Sequence, residues 1–329
     1  MSAELLSVRE LSVSFVTEAG MARVLDGVNL SLAAGEIMGL VGESGCGKTT
    51  LSRTILGALP PNASIDGGAL SFADHDLLRS SRVVRGRQIT FVPQDPFSSF
   101  SPLFTIGDQI MELMRWRSPD PRSARARRGD DRERVLNMLR AVQLPDPERL
   151  LRKYPHEVSG GQRQRVMIAM ALLPEPKLVI ADEPTTALDV TIQAQILKLL
   201  RNLATERGVS VLFATHDLGT AWEICDRVTV MYAGQDLETA PIASFFRAPM
   251  VPYTRSLLDS LPSGGSALRG IPGDVPNLVT PPAGCRFHPR CPNADAVCRG
   301  EHPARREPEP GHQVRCHHPH LQAAGVVAA

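Results

Sequence analysis

The chain has no long hydrophobic segment. None of its apolar runs approaches the roughly 20 residues that a bilayer-spanning helix needs, and the longest, residues 166–173, is typical of a helix core. The N-terminus, Met1-Ser2-Ala3-Glu4, also lacks the charged start and apolar stretch of a secretory signal. These absences predict a cytosolic protein that acts at a membrane only through a partner.

The sequence also lacks an excess of charge of either sign. It carries 36 Lys and Arg residues against 35 Asp and Glu residues, a net charge of +1. Bulk electrostatics therefore give no reason to expect a nucleic-acid partner. A hydrophobic content of 43% is ordinary for a globular protein, and 329 residues suffice for one large and one small domain.

One glycine-rich segment follows the pattern Gly, four residues, Gly-Lys-Thr. Its residues are Gly42, Glu43, Ser44, Gly45, Cys46, Gly47, Lys48 and Thr49, followed by Thr50. A strand-like segment, 36–41, precedes it and a helix-like segment, 50–56, follows it. In such a loop the backbone N–H groups surround phosphate oxygens at the positive end of a helix. Lys48 is expected to reach the β- and γ-phosphates and Thr49 to ligate Mg²⁺, which predicts purine nucleotide binding.

A second glycine motif, Val158-Ser159-Gly160-Gly161-Gln162, precedes the helix-like segment 163–172. A helix N-terminus of this kind offers N–H groups to an anion. With both motifs, the chain resembles the ATP-binding-cassette ATPases, whose signature is Leu-Ser-Gly-Gly-Gln. Val158 replaces the usual Leu and keeps an apolar anchor. The resemblance implies that this signature contacts the γ-phosphate held by another subunit, so that each ATP lies between two chains.

The resemblance also assigns roles to residues that end strand-like segments. The apolar run 177–183 ends in Asp182, expected to hold Mg²⁺ through water, and Glu183, expected to be the general base for the attacking water. His216 follows the segment 209–215 and matches the family's switch histidine. Glu183 and His216 are thus the expected catalytic residues.

Three further positions complete the family pattern. Gln94 follows the segment 88–92 and matches the glutamine whose loop senses Mg²⁺ and the membrane partner. Asp189 ends the Ala187-Leu188-Asp189 stretch, which matches the loop that crosses the dimer interface. Phe15 is the candidate for stacking on adenine, and a core or surface aromatic is an almost equal alternative.

The predicted fold class is α/β, a P-loop NTPase of the ABC cassette type. Alternating strands and helices predict a parallel sheet core with crossover helices, and the resemblance implies that this core is RecA-like. Segments 6–16 and 24–32 around the turn at 18–20 predict an antiparallel β lobe, and the proline-interrupted stretch at about 97–172 predicts a helical subdomain. The nucleotide-binding domain is predicted to cover residues 1–240, and a small Cys- and Pro-rich extension residues 241–329.

The extension contains four of the six cysteines, namely Cys285, Cys291, Cys298 and Cys316. Cysteines grouped in a cytosolic protein favour metal binding over disulfides. Their spacing lacks the Cys-x-x-Cys pairs of common zinc ribbons, so zinc and iron–sulfur are both open. Reduced structural thiols are the third interpretation.

Segments 248–258 and 284–292 narrow the resemblance to the oligopeptide/dipeptide importer ATPases, and the loop 94–102 is similar to theirs as well. Members of that family can hold a four-iron cluster on four such cysteines. The resemblance therefore implies a [4Fe–4S] cluster, with zinc as the second choice. Either one would act as a staple for a segment too small to form its own core.

The function implied by the resemblance is an ATPase that powers peptide import from the cytoplasmic face of the inner membrane. The implied partners are a second, distinct ATPase subunit forming a heterodimer, two integral permease subunits and an extracytoplasmic substrate-binding protein, with no nucleic acid. Import of nickel or another small solute is the alternative. A soluble cassette ATPase acting on DNA or ribosomes is less favoured, because such proteins generally carry two cassettes or a long coiled coil. The acid pair and His216 argue against a non-hydrolysing regulatory binder.

Overall fold

A computed structural model describes residues 4–79, 84–95, 98–185, 190–261 and 270–321. Within these ranges the strands are β1 (Glu4–Thr17), β2 (Gly20–Ala33), β3 (Ile37–Val41), β4 (Ala63–Phe72), β5 (His75–Asp76), β6 (Ile89–Val92), β7 (Leu178–Asp182), β8 (Ser210–Thr215), β9 (Arg227–Tyr232), β10 (Gln235–Pro241), β11 (Arg305–Glu309) and β12 (His312–Arg315).

The α-helices of the same ranges are α1 (Lys48–Leu56), α2 (Ile106–Arg117), α3 (Arg128–Ala141), α4 (Pro147–Leu151), α5 (Gly160–Leu172), α6 (Val190–Arg207), α7 (Leu218–Ile224), α8 (Ile242–Arg247), α9 (Pro252–Asp259) and α10 (Ala296–Gly300). Short 3₁₀ turns occupy Pro155–Glu157 and His288–Arg290.

The larger sheet has the strand order β11-β12-β10-β9-β3-β8-β7-β6. Strands β9, β3, β8, β7 and β6 pair in parallel, so their carboxyl ends lie along one edge. Every residue of β3, β7 and β8 is buried, as expected of a parallel sheet covered on both faces. Ligands of such sheets bind at the carboxyl edge, which in this chain is where the predicted phosphate loop, Gln94, Glu183 and His216 begin.

The smaller sheet is antiparallel, with the order β2-β1-β4-β5. β1 and β2 form a hairpin in which Thr17 pairs with Gly20, at the turn that the sequence predicts. Its apolar face contributes Leu6, Leu11 and Leu32 to a core that it shares with α1. The parallel core and the antiparallel lobe confirm the predicted fold class.

Helices α2 to α5 lie between β6 and β7 in the chain and form a helical layer. Ile106, Ile110, Val135, Leu139 and Val166 are fully buried in its core. This core is continuous with that of the parallel sheet, so α5 and its N-terminus are held at a set position relative to the sheet.

The C-terminal extension adds two strands to the large sheet. β12 pairs antiparallel with β10, and β11 pairs with β12. The buried Glu238 of β10 accepts hydrogen bonds from the Met250 and Val251 amides, at 2.7 and 3.0 Å, and lies 2.7 Å from His312 Nε2. The sheet thus continues across residue 240, where the sequence predicts a domain boundary, and that boundary stays a prediction.

Within the described ranges, no helix combines the length and the apolar composition that crossing a membrane requires.

Candidate functional site

The phosphate-loop segment connects β3 to α1 through glycines with left-handed backbone angles. Gly42 has φ 149° and Gly47, the N-cap of α1, has φ 108°. A Cβ on Gly42 would lie 2.1 Å from the Met231 carbonyl oxygen, and one on Gly47 would lie 2.8 Å from Leu25 Cδ2. Atoms of the large sheet and of the antiparallel lobe therefore lie in direct contact with this loop, and only glycine fits at position 42 or 47.

Lys48, the first residue of α1, folds its side chain back over the loop. Its ammonium donates to the carbonyl oxygens of Gly42, at 2.7 Å, and of Glu43, at 3.1 Å. Lys48 as a whole is 6% exposed. A buried cation at a helix N-terminus is the arrangement that binds phosphate. Of the neighbouring loop residues, Ser44 and Gly45 are exposed and Cys46 is buried.

Asp182 ends β7 and is 5% exposed as a residue. Burial raises the pKa of this carboxyl group, and a hydrogen bond from the Thr49 side chain opposes that rise. Its Oδ1 atom has no hydrogen-bond partner within the described part of the chain. A buried carboxylate oxygen without a partner, next to a threonine hydroxyl, fits the oxygen ligands that Mg²⁺ takes.

Glu183 lies at the centre of a three-residue cluster. Its Oε2 accepts a hydrogen bond from Gln94 Nε2 at 2.9 Å, and its Oε1 lies 2.9 Å from His216 Nδ1. The three residues follow β6, β7 and β8, so adjacent parallel strands deliver them to one edge. Glu183 has φ 47°, a left-handed conformation that few non-glycine residues adopt and that is common at functional sites. The carboxylate is thus fixed from two sides.

The signature motif caps α5. Ser159 Oγ accepts from the Gln162 amide at 3.3 Å, and Gln162 Oε1 accepts from the Ser159 amide at 3.1 Å, a reciprocal capping box. Gly160 and Gly161 form the first turn, and Ser159 is exposed. The N-terminus of a 13-residue helix is therefore presented at the surface.

The remaining predicted residues differ in their placement. Phe15 is half-buried in β1 and packs against the lobe core, so its role toward adenine stays a prediction. Thr50 is half-buried in α1, and its carbonyl accepts from the Thr54 hydroxyl at 2.7 Å. Asp189 lies outside the described residues.

The four cysteines of the extension line one small pocket. Backbone hydrogen bonds lower the pKa values of all four thiols, from Phe287 and His288 for Cys285, from Asn293 for Cys291, from Asp295 for Cys298 and from His318 for Cys316. Burial raises the pKa of Cys285 to about 11 and that of Cys316 to about 12. Burial also raises the pKa values of Cys291 and Cys298. All six cysteines of the chain are free thiols.

Two features near these sites have no signal in the sequence. Arg290 and Tyr253, both in the extension, contact Glu43 of the phosphate-loop segment. Asp295, Cys298 and His318 place their donor atoms within 4.8 Å of one another. Neither set follows a spacing pattern, because its members are brought together by tertiary folding.

Comparison with known proteins agrees with this geometry. Residues 25–186 match the family model described as ABC transporter, and residues 237–298 match the one described as oligopeptide/dipeptide transporter, C-terminal region.

Relatives match over nearly their full lengths. A probable peptide ABC transporter ATP-binding protein of Sinorhizobium fredii is 48% identical, covering 95% of this chain and 94% of the relative. The dipeptide transport ATP-binding proteins DppD of Bacillus subtilis and Escherichia coli are 44% and 42% identical. The alignment with the Bacillus protein spans 95% of this chain and 94% of that protein, and the alignment with the Escherichia protein spans 98% of both chains.

Two solved structures share the cassette fold. One is a dimeric ATP-binding cassette, MJ0796, bound to ADP and phosphate, with 26% identity, a TM-score of 0.62 and coverage of 72% of this chain and 99% of that one. The other is CbiO1 of Clostridium perfringens, with 29% identity and a TM-score of 0.62. The match covers 74% of this chain and 91% of CbiO1.

Proposed function

This chain belongs to the ATP-binding-cassette ATPases of the oligopeptide/dipeptide transporter family, and we propose that it hydrolyses ATP to power the import of peptides. The observation that carries the proposal is the Glu183 carboxylate, held by Gln94 and His216 at the same sheet edge as the Lys48 loop. The names of the relatives favour a peptide over nickel as the cargo.

In this proposal each residue of the edge has a separate task. Lys48 and the loop amides bind the β- and γ-phosphates, and Glu183 accepts a proton from the attacking water. His216 and Gln94 hold the Glu183 carboxylate and thereby orient that water. Mg²⁺ would neutralise charge on the phosphate oxygens when bound, with Thr49, Asp182 and Gln94 as the residues that fit it.

The exposed N-terminus of α5 supports a role in a second chain's site. We propose that Ser159, Gly160, Gly161 and Gln162 contact the γ-phosphate bound by a facing ATPase subunit, and that Asp189 lies at that interface. The similar MJ0796 cassette is dimeric. A second, distinct ATPase subunit is the facing chain that we propose.

The helical layer offers a surface for permease subunits. Leu103 and Phe104, just after the Gln94 loop, are 79% and 56% exposed, and Trp116 is 61% exposed. Phe104 also lines a groove of about 1180 Å³ between α2, α3 and α5. Exposed apolar residues around a groove are typical of protein interfaces. We propose that two permease subunits dock there, which places this chain at the cytoplasmic face of the membrane, together with an extracytoplasmic binding protein.

The four convergent thiols support a metal centre in the extension. All four side chains line the same small pocket, and four thiolates can ligate either an iron–sulfur cluster or zinc. Hydrogen bonds to the sulfur atoms would tune the reduction potential of an iron–sulfur cluster bound there. We therefore propose that Cys285, Cys291, Cys298 and Cys316 ligate a [4Fe–4S] cluster, with zinc as the alternative, and that the group when bound stabilises the extension.

The first prediction tests the chemistry. Glu183→Gln should keep ATP binding and slow hydrolysis by roughly 10²–10⁴-fold, because the general base is lost. Lys48→Ala should abolish tight ATP binding. Glu175→Gln is a matched control, since Glu175 also has a positive φ and lies outside the edge cluster. ATP binding and phosphate release are measured in the assembled transporter, and wild-type turnover in Glu183→Gln would contradict the assignment.

The second prediction tests the permease surface. Phe104→Ala should weaken co-purification with the permease subunits about tenfold, because a central aromatic residue of an interface contributes on this scale. Trp222→Ala, which removes an exposed aromatic residue from α7, is the control and should leave co-purification unchanged. Equal recovery of permease with both variants would place the docking surface elsewhere.

A further inference from the structure

The C-terminal extension makes a direct ionic contact with the phosphate loop. Arg290 Nη1 donates to Glu43 Oε2 at 2.7 Å, and Arg290 Nη2 donates to Glu43 Oε1 at 3.0 Å. The Arg290 side chain is 4% exposed and that of Glu43 is 25% exposed. Two parallel charge-assisted hydrogen bonds fix the carboxylate in both position and orientation. Residues 247 positions apart in sequence are thus joined at the nucleotide site.

Arg290 is itself rigidly held. Its Nε donates to the Pro272 carbonyl at 2.9 Å and its Nη2 to the Ile271 carbonyl at 3.1 Å. The guanidinium also lies over the Tyr232 ring, 5.7 Å from its centroid. An arginine guanidinium keeps its charge throughout the physiological pH range. The extension therefore presents a permanent, fixed cation to the loop.

A second residue of the extension holds the backbone at the same position. The Tyr253 hydroxyl oxygen accepts a hydrogen bond from the Glu43 amide at 3.1 Å. Tyr253 is fully buried, with its ring centroid 4.6 Å from that of Tyr232 and 5.1 Å from that of Phe287. The aromatic packing fixes the hydroxyl group, so both the side chain and the amide of Glu43 are anchored by residues outside the loop.

These contacts have a consequence for a loop that binds a polyanion. A carboxylate within such a loop repels phosphate unless a cation neutralises it. We propose that Arg290 and Tyr253 are positioning residues for ATP binding. Arg290 neutralises Glu43 and holds its carboxylate against the extension, and Tyr253 fixes the Glu43 amide. The inference rests on the proposed ATP site and adds that the extension sets its affinity.

The test compares two arginines of the extension in the full-length chain. Arg290→Gln should raise the Kd for MgATP about tenfold in titration calorimetry, because Glu43 is left unneutralised. Arg315→Gln is the matched control. Arg315 also precedes a cysteine and joins the extension to the cassette, through the Gly27 carbonyl at 2.9 Å and Asp236 at 3.4 Å. Arg315→Gln should change the Kd by less than about twofold.

Further variants separate positioning from general stabilisation. Both arginine variants should lower the thermal midpoint, whereas only Arg290→Gln should change the Kd. Combining Glu43→Gln with Arg290→Gln should restore the Kd to within about threefold of wild type, because no carboxylate then needs neutralising. Tyr253→Phe keeps the ring and should raise the Kd a few-fold. If Arg290→Gln does not fold, Arg290→Lys replaces it, with an expected rise of about threefold.

Several results would overturn the inference. A wild-type Kd in Arg290→Gln, or in Arg290→Lys where that variant is used, would do so, as would a double variant no better than Arg290→Gln. Equal Kd changes in the Arg290 and Arg315 variants would reduce Arg290 to a structural contact. A wild-type chain that binds no MgATP would instead overturn the proposed ATP site, and with it this inference.

Discussion

At the scale of single residues, the carboxyl group of Asp182, which we propose helps to hold Mg²⁺, lowers the stability of the folded chain. Its carboxyl group is buried, and one oxygen lacks a partner within the described ranges. Burial raises its pKa above the ordinary value of 3.8. The folded chain therefore binds a proton more readily than the unfolded chain, and the free energy of unfolding falls as the pH rises through this raised pKa. At neutral pH the charge costs stability.

The third prediction follows from the direction of the Asp182 pKa shift. Asp182→Asn should increase the free energy of unfolding at pH 7, in the absence of Mg²⁺ and nucleotide, by on the order of 1 kcal/mol, because a poorly compensated buried charge is removed. The gain should shrink as the pH falls through the raised pKa of the folded chain toward 3.8, below which Asp182 is protonated in the folded and the unfolded chain alike. ATP hydrolysis should be lost. Urea unfolding at several pH values measures the effect.

A matched control accompanies this measurement. Asp66→Asn changes a carboxylate on the exposed face of β4 and should leave the free energy of unfolding nearly unchanged. A less stable Asp182→Asn chain at pH 7 would mean that another group compensates the Asp182 charge.

At the scale of elements, the N-terminus of α5 has both a structural role and a proposed functional role. Ser159 and Gln162 satisfy two amides of the first helical turn through the capping box. The same terminus is the one proposed to meet the γ-phosphate of a facing subunit. A single serine substitution therefore changes both helix stability and phosphate binding, and two different substitutions are needed to separate them.

The fourth prediction uses that separation. Ser159→Ala should cost about 1 kcal/mol of unfolding free energy, because the cap is lost. Ser159→Asp should keep the cap within about 0.5 kcal/mol, since Asp is an equally good N-cap. The Asp carboxylate would nevertheless repel phosphate, so ATP turnover of the assembled transporter should be lost in Ser159→Asp and only reduced in Ser159→Ala. Normal turnover in Ser159→Asp would contradict the signature assignment.

At the scale of the whole molecule, the extension packs against the cassette and continues its large sheet. It completes one edge of the large sheet through β12, and the buried pair Glu238–His312 joins the two. Further along the chain, Arg290 reaches the phosphate loop. The segment that carries these contacts has few strands or helices of its own, so the proposed cluster would stabilise it.

The fifth prediction concerns the proposed metal centre of the extension. Anaerobically purified chain should be brown and contain about four irons, the number expected of a four-iron cluster. Cys291→Ser should lose the iron and lower the thermal midpoint. Cys225→Ala, which removes a buried thiol outside the cluster, should keep the iron. Colourless protein with one zinc would mean that the metal centre exists and that its metal is zinc. Wild-type protein without either metal would contradict the proposal.

The sequence alone determined the elements that depend on local backbone geometry. The phosphate loop and the N-cap of α5 are each encoded by consecutive residues, because the backbone angles of glycine and the capping hydrogen bonds involve only a few neighbouring positions. The strand-like runs before Gln94, Glu183 and His216 were readable for the same reason. The predicted parallel order then implied that the carboxyl ends of these strands meet at one edge.

Only the tertiary structure decided which groups touch. The shared Glu183 carboxylate requires three strands in adjacent register, and the contact of Arg290 with Glu43 requires the extension to fold back over 247 residues. Neither leaves a periodic or spacing pattern, because such contacts depend on the packing of buried side chains such as Tyr253 rather than on neighbours in sequence. That packing brings the extension into contact with the proposed nucleotide site.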